Sequence, residues 1–133
     1  GFRRGDILWV ELPIRTPPGR EQAGRRPAVV VGVPEDIEPI PYRVLTVVPL
    51  TRTRTQGVLF PMLPAGAGGL PADSAALICQ VLALDARRAV GKIGQLTAAE
   101  YAPIRSGLAR LLDFETTCPP PKTTAAVGDA EDG

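Results

Sequence analysis

Short apolar runs separated by loops rich in proline and glycine dominate the first 95 residues of the chain. Residues 6–12 predict a first strand, and residues 27–33 predict a buried one, because β-branched apolar residues follow one another almost without interruption. The same pattern predicts further strands at residues 42–50, 58–63, 74–81 and 89–95. A short turn of helix is expected at 82–88, and loops at 13–24, 34–41, 52–57 and 64–73.

One helix is predicted after these strands. Thr97 and Glu100 have the spacing of a capping box, in which each side chain accepts a backbone N–H at the helix start. Apolar residues then recur at helical spacing, at Tyr101, Ile104, Leu108, Leu111 and Leu112. Pro103 and Gly107 weaken this helix, so we expect it to depend on tertiary or partner contacts.

Several short strands, long loops and a C-terminal helix predict a mainly β protein with some α structure, of the SH3-like small-barrel class. The 133 residues suffice for one domain, which we place at residues 1–115. Residues 116–133 are polar, rich in proline and acidic at the end, and we expect a disordered tail there. No run approaches the roughly 20 apolar residues that span a bilayer, and no signal peptide is visible, so a cytoplasmic location is expected.

The inventory of reactive side chains is narrow. The sequence contains no histidine and two cysteines. Cys79 lies in an apolar run and is expected to be buried, whereas Cys118 lies in the tail and is expected to be exposed. There is no zinc-binding set and no Cys-x-x-Cys motif, so we expect neither a metal nor a cofactor. Catalysis would have to use Arg, Lys, Asp, Glu, Tyr, Ser or Thr.

The net charge of +1 hides an asymmetry along the chain. Residues 1–112 contain 14 Lys and Arg against 9 Asp and Glu, whereas residues 113–133 contain one Lys and five acids. A mildly basic body favours an anionic partner, and RNA is one candidate.

Three polar segments are candidates for chemistry. The first runs from Gly19 to Pro27 and brings Arg25 and Arg26 to a strand start, where alternation directs them to opposite faces. Arginine presents a planar fork that suits phosphate, although a pair of surface ion-pairing arginines is an equally ordinary interpretation. The other two are Pro49-Leu50-Thr51 at a strand end and the stretch from Ser74 through Gln80 to Asp85 and Arg88.

Taken together, these segments resemble the MazF/PemK toxin family. Arg4-Gly5-Asp6-Ile7-Leu8-Trp9-Val10 is similar to the first strand of that family, and residues 21–31 are similar to its most characteristic block. Pro49-Leu50-Thr51 and the residues from Asp73 to Arg88 resemble its second and third blocks, and the resemblance covers residues 3–114. The resemblance implies the small barrel shared by MazF and CcdB. The sequence departs from the family pattern at Cys79 and Leu82.

The resemblance implies a toxin of a type II toxin–antitoxin system that cleaves single-stranded mRNA at specific sequences. The ribose 2′-hydroxyl would act as internal nucleophile without a metal, leaving 2′,3′-cyclic phosphate and 5′-hydroxyl ends and stopping translation and growth. By position, Arg26 and Thr51 match the catalytic pair of the family, and Glu21 matches an acid that contributes in some members. RNA binding is expected at Gln22, Arg25, Arg52, Ser74 and Gln80.

The family resemblance also implies a two-fold homodimer and a cognate antitoxin, whose disordered acidic segment occupies the RNA groove. Two other functions remain open at this point. A gyrase-poisoning toxin shares the same fold without needing Arg26 and Thr51 together, and a module of this fold could bind RNA without cutting it. Cleavage of RNA in the presence of a chelator separates the nuclease from both alternatives.

Overall fold

Seven antiparallel strands and one C-terminal helix make up residues 1–114, the part of the chain that the computed structural model describes. The strands are β1 (Asp6–Leu12), β2 (Gly24–Gly32), β3 (Val44–Thr51), β4 (Met62–Leu63), β5 (Ser74–Ala76), β6 (Leu82–Asp85) and β7 (Ala89–Gln95). The helix α1 spans Ala98–Leu112, and no helix of the described residues is long and apolar enough to cross a membrane. The predicted tail at 116–133, with Cys118, lies outside the described residues.

The strands pair in the order β4-β5-β3-β2-β1-β7, and β6 pairs with β3. Strand β3 is central, because β2 pairs with one edge while β6 and β5 share the other edge in succession. The sheet curls into a half-barrel, and α1 follows its last strand. The predicted class, mainly β with a C-terminal helix, is confirmed.

The three central strands, β1, β2 and β3, are buried on both faces over much of their length, which explains their nearly continuous apolar sequence. Ile7, Val29 and Val48 pack on the side of the sheet that α1 covers, where they meet Ile104 of the helix. A residue adjacent to each of these along its strand belongs to a second apolar cluster, whose members include Leu8, Val30 and Val47. Strand alternation therefore builds two cores from one sheet.

Helix α1 confirms the capping box and contains both of the residues expected to weaken it, Pro103 and Gly107. The Thr97 hydroxyl accepts the Glu100 N–H at 3.1 Å, and the Glu100 carboxylate accepts the Thr97 N–H at 2.9 Å. The helix continues through Pro103, which is exposed and lacks the N–H that would pair with the carbonyl one turn earlier. Gly107 is buried, and a Cβ there would lie 2.8 Å from the carbonyl oxygen of Val58. This glycine allows the helix to approach the turn that contains Val58 and the 3-10 turn that contains Ile78.

Three predicted elements are correct only over part of their length. Residues 58–63 form a strand only at Met62–Leu63, because Gly57 adopts a φ of 128° and a turn closes from Phe60 N–H to the Gly57 carbonyl. The strand expected at 74–81 ends at Ala76 and gives way to a 3-10 turn at Ile78–Gln80. The expected helical turn at 82–88 is β6 followed by a 3-10 turn, because β6 pairs with the free edge of β3.

Cys79 is exposed, which corrects the expectation of a buried thiol. It occupies the middle of the 3-10 turn at Ile78–Gln80, in which Ile78 is fully buried. Adjacent residues of such a tight turn point in different directions, so the burial of Ile78 turns the Cys79 thiol outward.

Candidate active site

The start of β2 positions the two arginines of the first polar segment. Strand β2 begins at Gly24, three residues earlier than predicted, and the φ of 79° at Gly24 is one that favours glycine. Arg25 lies opposite Glu11 of β1 and donates from Nε to its carboxylate at 2.9 Å. Arg26 lies opposite Val10, and its Nε donates to the Ala23 carbonyl at 3.3 Å. The two arginines therefore bond to different partners, one in the neighbouring strand and one in the preceding loop.

Arg26 and Thr51 meet at the open end of the β2–β3 pair. The last paired residues there are Ala28 and Pro49, and continuing the register by two residues brings Arg26 across from Thr51. Both side chains line one cavity of about 290 Å³, which we call the Arg26 cavity. Trp9, Arg25, Arg52 and Ser74 also line it.

Both Arg26 and Thr51 keep hydrogen-bonding capacity for a ligand. The Thr51 hydroxyl oxygen accepts the Thr53 N–H at 3.2 Å, which fixes the oxygen and leaves the hydroxyl proton free to donate. Arg26 uses Nε for the Ala23 carbonyl, and within residues 1–114 no carboxylate forms an ion pair with it. Its two terminal nitrogens can therefore bind an anionic oxygen.

The charge of the Arg26 cavity is strongly positive. Arg25, Arg26 and Arg52 line it, whereas no Asp or Glu of the described residues does. Glu11 pairs with Arg25 alone, so two positive charges remain uncompensated. The cavity thus favours a phosphate group.

Ser74 and Trp9 complete the wall of the Arg26 cavity in different ways. Ser74 is buried and donates its hydroxyl proton to the Ala72 carbonyl at 3.0 Å, so its oxygen can only accept a further hydrogen bond. Trp9 is half-buried, and sequence reasoning missed it as a site residue. The available signal was that Trp9 is the single tryptophan of the chain and lies in a strand next to the arginine segment. An indole face can stack with an unpaired base.

The other predicted site residues line a second cavity of about 220 Å³, which we call the loop cavity. Glu21, Gln22 and Gln80 line it, as do the exposed Cys79 and the partly buried Leu82. It neighbours the Arg26 cavity along β3, since Pro49 lines the loop cavity and Leu50 lines the Arg26 cavity. The structure thus brings Arg26 and Thr51 together and leaves Glu21 in the adjoining cavity.

Gln80 connects the loop at residues 13–23 to the core. Its Oε1 accepts the Gln22 N–H at 2.8 Å, and its Nε2 donates to the Arg20 carbonyl at 3.4 Å. The Gln22 side-chain oxygen is buried without a hydrogen-bond partner among the described residues. Both polar ends of the Gln80 amide are therefore used to hold the loop.

Asp85 lies away from both cavities. Hydrogen bonds from the side chain and backbone N–H of Arg87 lower the pKa of Asp85 to about 2. Among residues 1–114, no group of three His, Cys, Asp or Glu side chains is placed to hold a metal ion.

Comparisons with known proteins identify a family and a fold for the chain. The model of the PemK-like, MazF-like toxins of type II toxin–antitoxin systems matches residues 3–112. Among solved structures, MazF from Deinococcus radiodurans is 24% identical with a TM-score of 0.67, over 84% of this chain and 96% of that one. An endoribonuclease from Mycobacterial species, in complex with its cognate antitoxin, is 18% identical with a TM-score of 0.66, over 88% of this chain and 100% of that one. The Mycobacterium tuberculosis toxin MazF-mt6 is 16% identical with a TM-score of 0.64, over 83% and 98% of the two chains.

Proposed function

The chain belongs to the PemK-like, MazF-like toxin family of type II toxin–antitoxin systems, and on that premise we propose that it is an endoribonuclease. Its substrate is single-stranded mRNA, which it cuts at specific sequences without a metal. The 2′-hydroxyl attacks the adjacent phosphorus, and the bond from phosphorus to the 5′ oxygen breaks. The products carry a 2′,3′-cyclic phosphate and a 5′-hydroxyl, and loss of mRNA stops translation and growth.

Arg26 stabilises the transition state in this proposal. As the 2′ oxygen bonds to phosphorus, negative charge gathers on the non-bridging oxygens. The two free terminal nitrogens of Arg26 can donate to those oxygens inside a cavity that no carboxylate of the described residues lines. Removing one such donor typically lowers the rate by about 100- to 1000-fold.

Thr51 orients the same phosphate, since its fixed hydroxyl oxygen leaves one proton to donate. Glu21 is the proposed acceptor of the 2′-hydroxyl proton, because the chain has no histidine and a guanidinium is a poor base. Glu21 lines the loop cavity, so the loop at residues 13–23 has to carry it toward the Arg26 cavity when RNA binds. The departing 5′ oxygen then receives a proton from water or from a neighbouring donor.

The remaining contacts to RNA come from the walls of the two cavities. Arg25 and Arg52 neutralise backbone phosphates, and Ser74 accepts a hydrogen bond from the ribose or a base. Gln22 lines the loop cavity and contributes there to base selection, while Gln80 acts through the loop that it holds. Cys79 and Leu82 lie in the same cavity and contribute to the choice of cut site.

The proposed partners follow from family membership. The protein acts in the cytoplasm as a homodimer, and a cognate antitoxin inhibits it by placing a disordered acidic segment in the groove that RNA otherwise occupies. The excess of arginine in the Arg26 cavity supports recognition of such a segment.

One observation supports the nuclease most strongly, namely that Arg26 and Thr51 line a single cationic cavity. The test is to incubate the purified protein with a long RNA of mixed sequence in EDTA and to map the ends of the products. We expect cuts at a short recurring sequence, with cyclic phosphate and 5′-hydroxyl ends.

Arg54→Ala is the matched control for Arg26→Ala. Arg54 is exposed on the loop after β3 and does not line the Arg26 cavity, so its removal takes away the same charge without touching the site. We expect Arg54→Ala to cut RNA normally and Arg26→Ala to be folded but inactive. RNA left intact by the unaltered protein, or cut equally well by Arg26→Ala, would overturn the proposal.

A further inference from the structure

A third cavity, of about 380 Å³, lies where β1 and α1 begin and β7 ends. Arg3, Arg4 and Arg105 line it together with Tyr101 of α1. We call it the arginine pocket. It shares no lining residue with the Arg26 cavity, so the mechanism proposed above makes no use of it.

The positive charge of the arginine pocket is not compensated. Within the described residues Arg4 and Arg105 have no carboxylate partner, whereas Arg25, Arg43 and Arg87 each form an ion pair. The nearest acids are committed elsewhere, because buried Asp6 pairs with Lys92 and Glu100 caps the helix. No Asp or Glu of residues 1–114 lines the pocket.

Two further groups add donors to the same pocket. Burial raises the pKa of Tyr101, while Arg4 and Arg105 act on it in the opposite direction, so the phenol stays protonated at neutral pH and close to both arginines. Ala98, the first residue of α1, also lines the pocket, and the first N–H groups of a helix favour an anion. Arg3 is held in place by a hydrogen bond to the Gln95 side chain. Donors of several kinds therefore converge in a pocket that no Asp or Glu of residues 1–114 lines.

Strand β1 connects the arginine pocket to the Arg26 cavity. Gly5 lines the pocket and Trp9 lines the cavity, and four residues of extended strand span roughly 13 Å. A single-stranded RNA needs only a few nucleotides to cover that distance. A small free anion would gain nothing from the second cationic cavity, whereas a polyanion can occupy both.

We propose that the arginine pocket binds a backbone phosphate of the RNA substrate, a few nucleotides from the bond that is cut. This inference rests on the proposed function for the identity of the polyanion. Arg4 and Arg105 carry the contact, because Arg3 is already bonded to Gln95. The pocket contributes to affinity and to the length of RNA that binds, and it does not take part in the bond cleavage.

The test is the affinity of the full chain for a 2′-O-methyl RNA, which lacks the attacking hydroxyl and is not cut. One RNA is long enough to reach both cavities, and a shorter one covers the Arg26 cavity alone. The variant is Arg4→Ala with Arg105→Ala, and Arg110→Ala is the control because it removes an exposed arginine of the same helix outside the pocket. Circular dichroism establishes that each variant is folded.

Each phosphate of single-stranded RNA that the protein neutralises adds about 0.7 to the slope of log affinity against log salt, so losing the one phosphate contact of the arginine pocket reduces the slope by about 0.7. For the long RNA this corresponds to roughly 5-fold weaker binding at about 0.1 M salt, relative to about 1 M salt. We expect the short RNA to bind unchanged and kcat for a long cleavable RNA to stay the same.

The outcomes separate this inference from the proposed function. If the variant cuts RNA and retains the full salt slope on the long RNA, the inference fails and the nuclease stands. If the unaltered protein cuts no RNA but the slope falls as expected, the nuclease fails and the phosphate site stands. If the variant no longer binds poly-glutamate but binds the long RNA as before, the pocket recognises an acidic protein segment and the inference is overturned.

Discussion

Replacing Gln80 with methionine tests whether this residue holds the loop of the candidate active site. Methionine has a similar length and no hydrogen-bonding amide, so the substitution removes both hydrogen bonds to the loop while filling the same space. These are the 2.8 Å bond from the Gln22 N–H and the 3.4 Å bond to the Arg20 carbonyl. We expect the loop at residues 13–23 to open more often while the sheet remains folded.

The expected increase in loop opening follows from the strength of the two hydrogen bonds. A neutral hydrogen bond contributes about 0.5–1.5 kcal/mol net, and a bond of 3.4 Å lies at the weak end of that range. The 2.8 Å bond therefore dominates, and together the pair stabilises the closed loop by about 1–1.5 kcal/mol. The opening equilibrium of the loop should rise about 5- to 13-fold in Gln80→Met.

Hydrogen exchange at the Gln22 amide measures this opening directly, because its N–H is the group that Gln80 accepts. Gln56→Met is the control, since Gln56 is exposed and makes no side-chain hydrogen bond within residues 1–114. Exchange at Gln22 should accelerate only in Gln80→Met, while core amides such as that of Val48 keep their protection. Unchanged exchange at Gln22, or an equal acceleration in both variants, would refute the reasoning.

Three other predictions follow from the structure and the mechanism. Gly107→Ala should lower the free energy of unfolding, measured by urea denaturation, because a Cβ 2.8 Å from the Val58 carbonyl costs about 1–3 kcal/mol of overpacking and helix propensity returns at most about 1 kcal/mol. The hydrogen bonds from Arg87 hold the pKa of Asp85 at about 2, below its ordinary value of 3.8. The ionised carboxylate therefore stabilises the fold above the ordinary pKa of 3.8, and this stabilisation is lost as the pH falls toward 2. The difference in urea midpoint between the unaltered protein and Asp85→Asn should therefore be constant above about pH 5 and shrink steadily below it. An RNA with a single 2′-deoxynucleotide at the cut site should resist cleavage there and be cut normally elsewhere, as gel mapping of the products will show.

Local sequence predicted the elements that neighbouring residues determine. Residues 6–12 and 89–95 form strands with the expected bounds, because apolar side chains and turn residues delimit them. The capping box at Thr97 involves a spacing of three residues, and the structure confirms it. The error at 58–63 arises from the local turn at Gly57, whereas the error at 74–81 arises where a hydrogen bond to a distant part of the chain determines the backbone. Ile78 N–H, for example, donates to the Leu59 carbonyl.

The candidate site likewise has some features that the local sequence predicts and others that depend on distant contacts. Alternation along β2 predicts that Arg25 and Arg26 face apart, whereas in the structure both line the cavity that Arg26 shares with Thr51. That Gln80 holds the loop could not be predicted, because its partners lie 58 and 60 residues away in the sequence. The role of Gly107 also depends on tertiary contact, since only packing brings Val58 near the helix.

A double-mutant cycle on Arg26 and Thr51 tests most directly whether the two side chains act on the same phosphodiester. The measured quantity is the single-turnover rate of RNA cleavage in EDTA for the unaltered protein, Arg26→Ala, Thr51→Ala and the double variant. Because both groups serve one transition state, the double variant should be little slower than the slower single variant, which corresponds to a coupling energy above about 1 kcal/mol. Effects that add to within about 0.5 kcal/mol would show that the two residues act independently and would contradict the account.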